Sequence, residues 1–321
     1  MHRRTLVLGA STLPLAARAQ APDWPSRPIR LIVPFPPGGP NDIIARLMAP
    51  QLTSLLGQTV VIENRGGGGG VVGTDAALKS PPDGYTLAIS NGGSLVITPH
   101  VSANVPYRVP QDVTMISVVA RMPEALVATP SLGLRSLPDL IARARQEPGR
   151  LNIGTAGAGG ISHLAAELLK QQAGVNIVVV PYRGAAPAVT DLVAGQIQLL
   201  FADMPVLLPQ IRIGALVPLA MASTKRSPSL PEVPTTGEFG YPGVLADNWY
   251  ALLGPAGLPE PILRRLSAAA RQASQAPEYR DGLAALGTEA SWTSPEEFAE
   301  FVQSESKKWE QVALTSGIRL D

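Results

Sequence analysis

The stretch Leu31 to Arg46, LIVPFPPGGPNDIIAR, decides how this chain folds. Leu31, Ile32, Val33 and Phe35 form a short apolar run suited to a buried strand. Pro36, Pro37, Gly38 and Gly39 then forbid the strand to continue, so the chain must turn. Beyond the turn, Ile43, Ile44, Leu47, Met48, Leu52 and Leu55 form an amphipathic helical stretch, with Asn41 or Asp42 placed to act as its N-cap. A helix opened in this way presents unpaired backbone N–H groups beside the positive end of its dipole. Such a turn serves equally as a plain strand-to-helix connection or as a cradle for a carboxylate or phosphate.

Working outward, strands and helices alternate. Thr59–Glu63 reads as a strand ended by Asn64 and the glycine run Gly66 to Gly70, Thr74–Lys79 as a short helix, and Tyr85–Ser90 as the next strand. Apolar strands at Ile116–Val119 and Ala125–Ala128 lead into a second series: strand Leu151–Gly154, helix His163–Gln172 and strand Asn176–Val180. A helix opened near Pro187 and ended at Gly195 follows, then strands Ile197–Ala202 and Val217–Ala222. Helices are expected at Pro261–Gln275, Pro277–Leu286 and Pro295–Thr315, the last opened by the capping box Ser294 to Glu297. Phe298, Phe301, Val302, Trp309 and Val312 lie on one face of that helix and read as a packing stripe. The pattern is two successive α/β units, with the Pro-rich stretch Ser227–Pro242 leading the chain back to the first.

A second turn repeats the logic of the first. In GTAGAGGISH, residues 154–163, a strand ends, glycines allow close backbone approach, and Ser162 is placed to cap a helix whose apolar face is Leu164, Ala165, Leu168 and Leu169. Two cradles in two units imply one cleft between them.

Composition excludes much else. The chain has 321 residues, 45% hydrophobic and 16% charged, enough to bury a sizeable core in two domains. With no cysteine, disulfides, thiolate catalysis and zinc–thiolate sites are ruled out. His2, Arg3 and Arg4, an apolar run Leu6–Ala17 and the small-residue site Ala17-Arg18-Ala19 have the architecture of an export signal cleaved before Gln20. Arg3-Arg4 also leaves a twin-arginine signal open. Removing Arg3, Arg4 and Arg18 from 26 basic residues leaves 23 against 25 acidic, a formal charge of −2. No basic stripe with interleaved aromatics offers itself to nucleic acid. Arg183, Asp191, Asp203 and Arg212 interrupt the long apolar stretch in the middle, so after the signal no run reaches the ~18 residues of a membrane span.

Reaction centres are hard to find. Gly68, Gly70 and Gly73 satisfy a dinucleotide-binding pattern that any run of glycines satisfies, and no acidic residue ends the following strand. There is no nucleophile elbow, and His100 and His163 lie too far apart in sequence, without paired carboxylates, to suggest a metal. No cofactor is expected. The sequence offers binding groups.

Four further segments bear on family: IRLIVPFPPGGPNDIIARLMAPQL, VVIENRGGGGGVVGTDAALKSPPDGYTL, VPYRGAAPAVTDLVAGQIQLLF, and LPEVPTTGEFGYPG with the later GPAGLP. From Trp24 to the C-terminus the chain resembles the Bug extracytoplasmic solute receptors, the substrate-binding proteins of tripartite tricarboxylate transporters. The resemblance implies an α/β fold of the two-lobed periplasmic-binding-protein type II class. Lobe one would comprise residues 22–122 and 250–321 and lobe two residues 123–249, closing on a small organic carboxylate. It further implies a periplasmic, monomeric, non-enzymatic receptor that hands its ligand to membrane subunits. By motif, the ligand loops correspond to Gly38, Gly39, Pro40, Asn41 and Asp42 in lobe one. In lobe two they correspond to Thr155, Ala156, Gly160, Ile161, Ser162 and His163, with Asp203 near the pocket.

The chain departs from the family pattern at Asn41, where a hydroxyl residue often stands, at Gly66, often proline, and at Ile161, often glycine. Ile161 adds apolar bulk and favours a carboxylate with an apolar or aromatic body. Two other functions remain open on sequence alone. A receptor that signals to a membrane sensor has the same binding site, and an exported hydrolase would use Ser162 and His163 with Asp203 as acidic partner.

Overall fold

The computed structural model describes residues 24–316 and 319, so the expected signal segment, residues 1–19, lies outside the described residues. The run that begins at Leu31 lies in strand β1 (Ile29–Val33), which pairs in parallel with β2 (Val60–Asn64) on one side and β3 (Thr86–Asn91) on the other. Helices α1 (Pro40–Leu56) and α2 (Val71–Leu78) make the crossovers that parallel pairing requires. A π-helical turn at Gly93–Ile97 and the short α3 (Thr98–Val101) follow.

The next strand joins the two halves of the molecule. β4 runs unbroken from Val113 to Ala128, where the sequence predicts two strands separated by Arg121, Met122, Pro123 and Glu124. Its first part pairs antiparallel with β9 (Asp247–Pro255) and β10 (Glu289–Ala290). Its last part, from Glu124 onward, pairs with β7 (Leu199–Asp203) and β8 (Val217–Met221). A proline inside a strand ordinarily argues against it. Here Pro123 falls where the partner strand changes.

The second sheet continues from β7 through β5 (Asn152–Thr155) to β6 (Val178–Pro181) in parallel pairing. Its helices are α4 (Leu137–Gln146), α5 (Ile161–Ala173), α6 (Ala185–Val193) and α7 (Met204–Arg212). The sequence reading has no counterpart for α4 and α7. The first is signed by Ser136, whose Oγ accepts from Asp139 N–H at 3.3 Å. The second carries Pro205 in its first turn and Pro209 inside it, residues that mask a helical pattern.

The chain then returns to the first sheet through β9, which lies between β3 and β4. It ends in α8 (Glu260–Gln275), α9 (Pro277–Ala284) and α10 (Pro295–Ser316). Ile44, Met48, Leu52 and Leu56 of α1 share a core with Leu266, Ala270 and Ala273 of α8, each large side chain contributing roughly 1.5–3 kcal/mol by burial. On α10 the expected stripe is a packing face: Phe298, Val302 and Trp309 are buried, and Phe298 meets Trp249 of β9 edge-on at 5.8 Å. The capping box forms as read, Ser294 Oγ accepting from Glu297 N–H at 3.1 Å and Glu297 Oε2 from Ser294 N–H at 2.8 Å.

Candidate functional site

Three helix N-termini converge on one cavity between the sheets. Gly39, Pro40 and Asn41 open α1, Gly160, Ile161 and Ser162 open α5, and Gly184, Ala185, Ala186 and Pro187 open α6; all line the cavity. Each start carries N–H groups without intrahelical acceptors. Among the described residues the lining holds no lysine, arginine or histidine, so an anion there would be held by backbone donors and helix dipoles.

The N-caps differ from those expected. α1 is capped by Gly39 and begins at Pro40, whose missing N–H costs nothing at that position. Asn41 faces inward and donates from Nδ2 to Ile89 O at 2.9 Å, tying the helix start to β3. Asp42 is 2% exposed and acts as a brace, accepting from Gly38 N–H at 2.9 Å, Arg46 Nε at 2.8 Å and Asn64 Nδ2 at 3.0 Å. Burial alone would raise its pKa, but these donors more than offset it and hold the carboxyl below its ordinary value. Asp42 and Gly38 thus shape the cradle from behind, and neither is in the cavity lining.

In the other half, α5 is capped by Gly160, and Ser162 sits one residue inside the helix. Its Oγ accepts from Ala156 N–H at 2.9 Å, pinning the glycine loop to the helix start. Ser162 and Ala156 both reach the cavity, whereas Thr155 is buried behind it with an Oγ1 that has no hydrogen-bond partner. His163 lies outside the lining, and its Nδ1 accepts from Gly159 N–H at 3.1 Å while burial depresses its pKa. Ser162 Oγ and His163 Nδ1 thus each accept from a backbone N–H of the glycine loop.

The cavity floor holds a pair of carboxyl groups. Glu124 of β4 and Asp203 of β7 are register partners, 1% and 3% exposed, and both line the cavity. Asp203 accepts from Asn248 Nδ2 at 3.1 Å on both oxygens and from the Tyr250 hydroxyl at 2.5 Å. Burial pushes its pKa up to about 6 against the lowering effect of these donors. Glu124 Oε2 has no partner, and burial together with the charge of Asp203 drives its pKa well above the usual carboxylate range. Asp203 was legible in the sequence, but Glu124, Asn248 and Tyr250 were not, although a glutamate inside the apolar run MPEALVA is itself a signal. The α6 start was also unread as a cradle, though Gly184-Ala-Ala-Pro187 marks it.

The rim is closed by backbone contacts. Gly69 meets Gly157 and Ala158, Gly93 approaches Gly160 and Ile161, and Thr98 Oγ1 donates to Gly159 O at 3.3 Å.

Residues 44–318 match the tripartite tricarboxylate transporter family receptor. The chain belongs to that family. It is 38% identical over 323 residues to BugT of Bordetella pertussis, the match covering 100% of this chain and 99% of BugT. Among solved structures it resembles Rpa4515 of R. palustris with adipate, at 37% identity and TM-score 0.89, covering 92% of this chain and 99% of that one. MatC (Rpa3494) of Rhodopseudomonas palustris with bound malate matches at 32% identity and TM-score 0.86, covering 90% of this chain and 99% of that one. The two-lobed α/β receptor fold implied by the sequence is the fold of this chain, and the receptor is a solute-binding component of such a transport system.

Proposed function

We propose that this receptor works in the periplasm, captures a small organic carboxylate between its lobes and presents it to membrane subunits of a tripartite tricarboxylate transporter. The observation that carries the reading is the convergence of α1, α5 and α6 on one cavity without a basic side chain. Charge-assisted bonds from helix-start N–H groups contribute about 1.5–3 kcal/mol each once water is excluded. Three or four, with apolar burial against Phe35, Pro36 and Ile161, reach the roughly −8 kcal/mol of a micromolar complex after the cost of association. Related receptors crystallised with adipate and malate support the same ligand class.

We place the lobe crossings at Pro123–Glu124, where β4 changes sheets, and at Ala246–Asp247, where the chain leaves its backbone bonds to Ala222 and Glu124 and enters β9 of the first sheet. Closure turns on these two segments, and the protein's work is capture and release without chemistry. Among the described residues no helix is long and apolar enough to cross a membrane. The exported form begins near Gln20, which N-terminal sequencing of periplasmic protein checks.

Native mass spectrometry of protein purified without added ligand tests the whole reading. A retained small carboxylic acid is the expected result. A panel of mono- and dicarboxylates should also raise the melting temperature in proportion to the logarithm of concentration. A protein that neither retains nor responds to any carboxylate would overturn the assignment.

A further inference from the structure

The carboxyl pair at the cavity floor is not required by anything so far assigned to this protein. A site built only to hold an anion on helix N-termini gains nothing from two acidic groups facing the same space. Glu124 could have been any apolar residue of its strand. Instead it is buried with Oε2 unpartnered, in register with Asp203, and both line the cavity that the three helix starts open into.

We propose that the ligand is a small zwitterion, whose carboxylate rests on the helix N-termini and whose protonated amine seats against Glu124 and Asp203. This deepens the carboxylate-receptor reading and rests on it. The chemistry of the two ends is complementary. Backbone N–H groups at the starts of α1, α5 and α6 are donors only, while the carboxyl pair supplies acceptors and net negative charge. Asp203 is held as an acceptor by Asn248, whose amide also donates to the Tyr250 hydroxyl, and by Tyr250. Glu124 is the member with acceptor capacity to spare. An ammonium brings three donors in a tetrahedral fan, suited to Glu124 Oε2 and the free lone pairs of Asp203. Among the described residues no cationic side chain lines the cavity to balance the charge the pair keeps when it shares one proton, and a ligand ammonium supplies that balance. A second carboxylate seated there would face two acidic groups, only one of which can be kept neutral by a shared proton. Ligand binding then completes a buried polar network that is left incomplete in the empty protein.

Isothermal titration with matched pairs, at a pH where amines are protonated, decides it. The probes are L-aspartate against succinate, L-glutamate against glutarate, γ-aminobutyrate against butyrate, and L-phenylalanine against 3-phenylpropionate. On the wild-type receptor at least one amine-bearing member should bind tenfold or more tightly than its des-amino partner. That advantage should vanish in Glu124→Gln, an isosteric change that removes the charge and keeps the shape. If a variant does not fold, as judged by its melting curve, the wild-type comparison alone stands as the test. Carboxylates that bind as well as or better than their amine-bearing partners in every pair would overturn the zwitterion inference and leave the carboxylate reading intact. An amine advantage that survives in both Glu124→Gln and Asp203→Asn would also overturn it. Binding of no probe, with no retained carboxylate in native mass spectra, would sink both.

Discussion

Gly69 and Gly157 meet backbone to backbone across the cleft: a Cβ added to Gly157 would lie 3.0 Å from Gly69 Cα, and one added to Gly69 would lie 2.9 Å from Ala158 O. The contact forms only with the lobes together. Gly69 also sits at φ +64°, so a side chain there is strained in any state, whereas Gly157 has no left-handed backbone. Gly157→Ala therefore acts where the lobes meet, at the edge of the cavity that Gly157 lines. Its melting temperature without ligand should stay near wild type, while affinity for the natural ligand falls about tenfold. Small-angle scattering with saturating ligand should show less compaction than in wild type; full compaction would show that the glycine pair does not gate closure.

The carboxyl pair makes stability depend on pH with a definite sign. Burial raises the pKa of Asp203 from 3.8 to about 6, and burial with the charge of Asp203 raises that of Glu124 well above the usual carboxylate range, so the folded protein holds protons that the unfolded chain has released. Stability is full below pH 4 as far as these groups are concerned and is lost as pH rises through about 6. For Asp203 alone the loss is of the order of 3 kcal/mol, at about 1.36 kcal/mol per pH unit. The groups facing the pair are each other, Asn248 and Tyr250, and no basic residue lines the cavity among those described. Glu124→Gln should therefore raise the melting temperature of the empty protein at pH 8 more than at pH 5. Equal effects at both values would contradict the burial argument.

Ser162 gives a prediction that separates two structural roles. As the acceptor for Ala156 N–H, its loss in Ser162→Ala strands a donor and should cost about 1–3 kcal/mol in denaturant unfolding. A helix cap would be largely rescued by glycine. Here Ser162→Gly should be at least as damaging as alanine, because the position is inside the helix and the missing group is an acceptor. Rescue by glycine would restore the capping role.

Thr155 Oγ1 is buried without a partner behind the glycine loop. Thr155→Val keeps the shape and removes the hydroxyl, so stability should be unchanged or rise by up to about 1 kcal/mol. Affinity should be unaffected, since Thr155 is outside the lining. A clear drop in affinity would place its hydroxyl on the ligand.

The strand-turn-helix units were readable because their signals are local: apolar runs, proline and glycine at the turns, helical spacing beyond. The α1 and α5 starts emerged from that alone, although their caps proved to be Gly39 and Gly160 and not the adjacent polar residues. Asn41, Asp42 and Ser162 turned instead to partners far off in the fold or behind the loop, which no local pattern reveals. The continuity of β4 was hidden by Pro123 and Glu124, since what permits them is a change of neighbouring strand. The same event places Glu124 opposite Asp203, 79 residues later in sequence, so the acidic floor is a product of topology.

The placement of β9 between β3 and β4 constrains the order in which the molecule can assemble. As the chain emerges from its amino end, β1, β2 and β3 are available early, but the strand that joins them to β4 begins only at Asp247. Everything needed for the second sheet lies between Glu124 and Met221 and is complete before then. The later-encoded lobe can thus mature first, while the first waits with the edge of β3 unpaired. That exposed edge is a standing invitation to pair with another chain, so a nascent or truncated product ending before Asp247 is the form that a chaperone has most reason to hold.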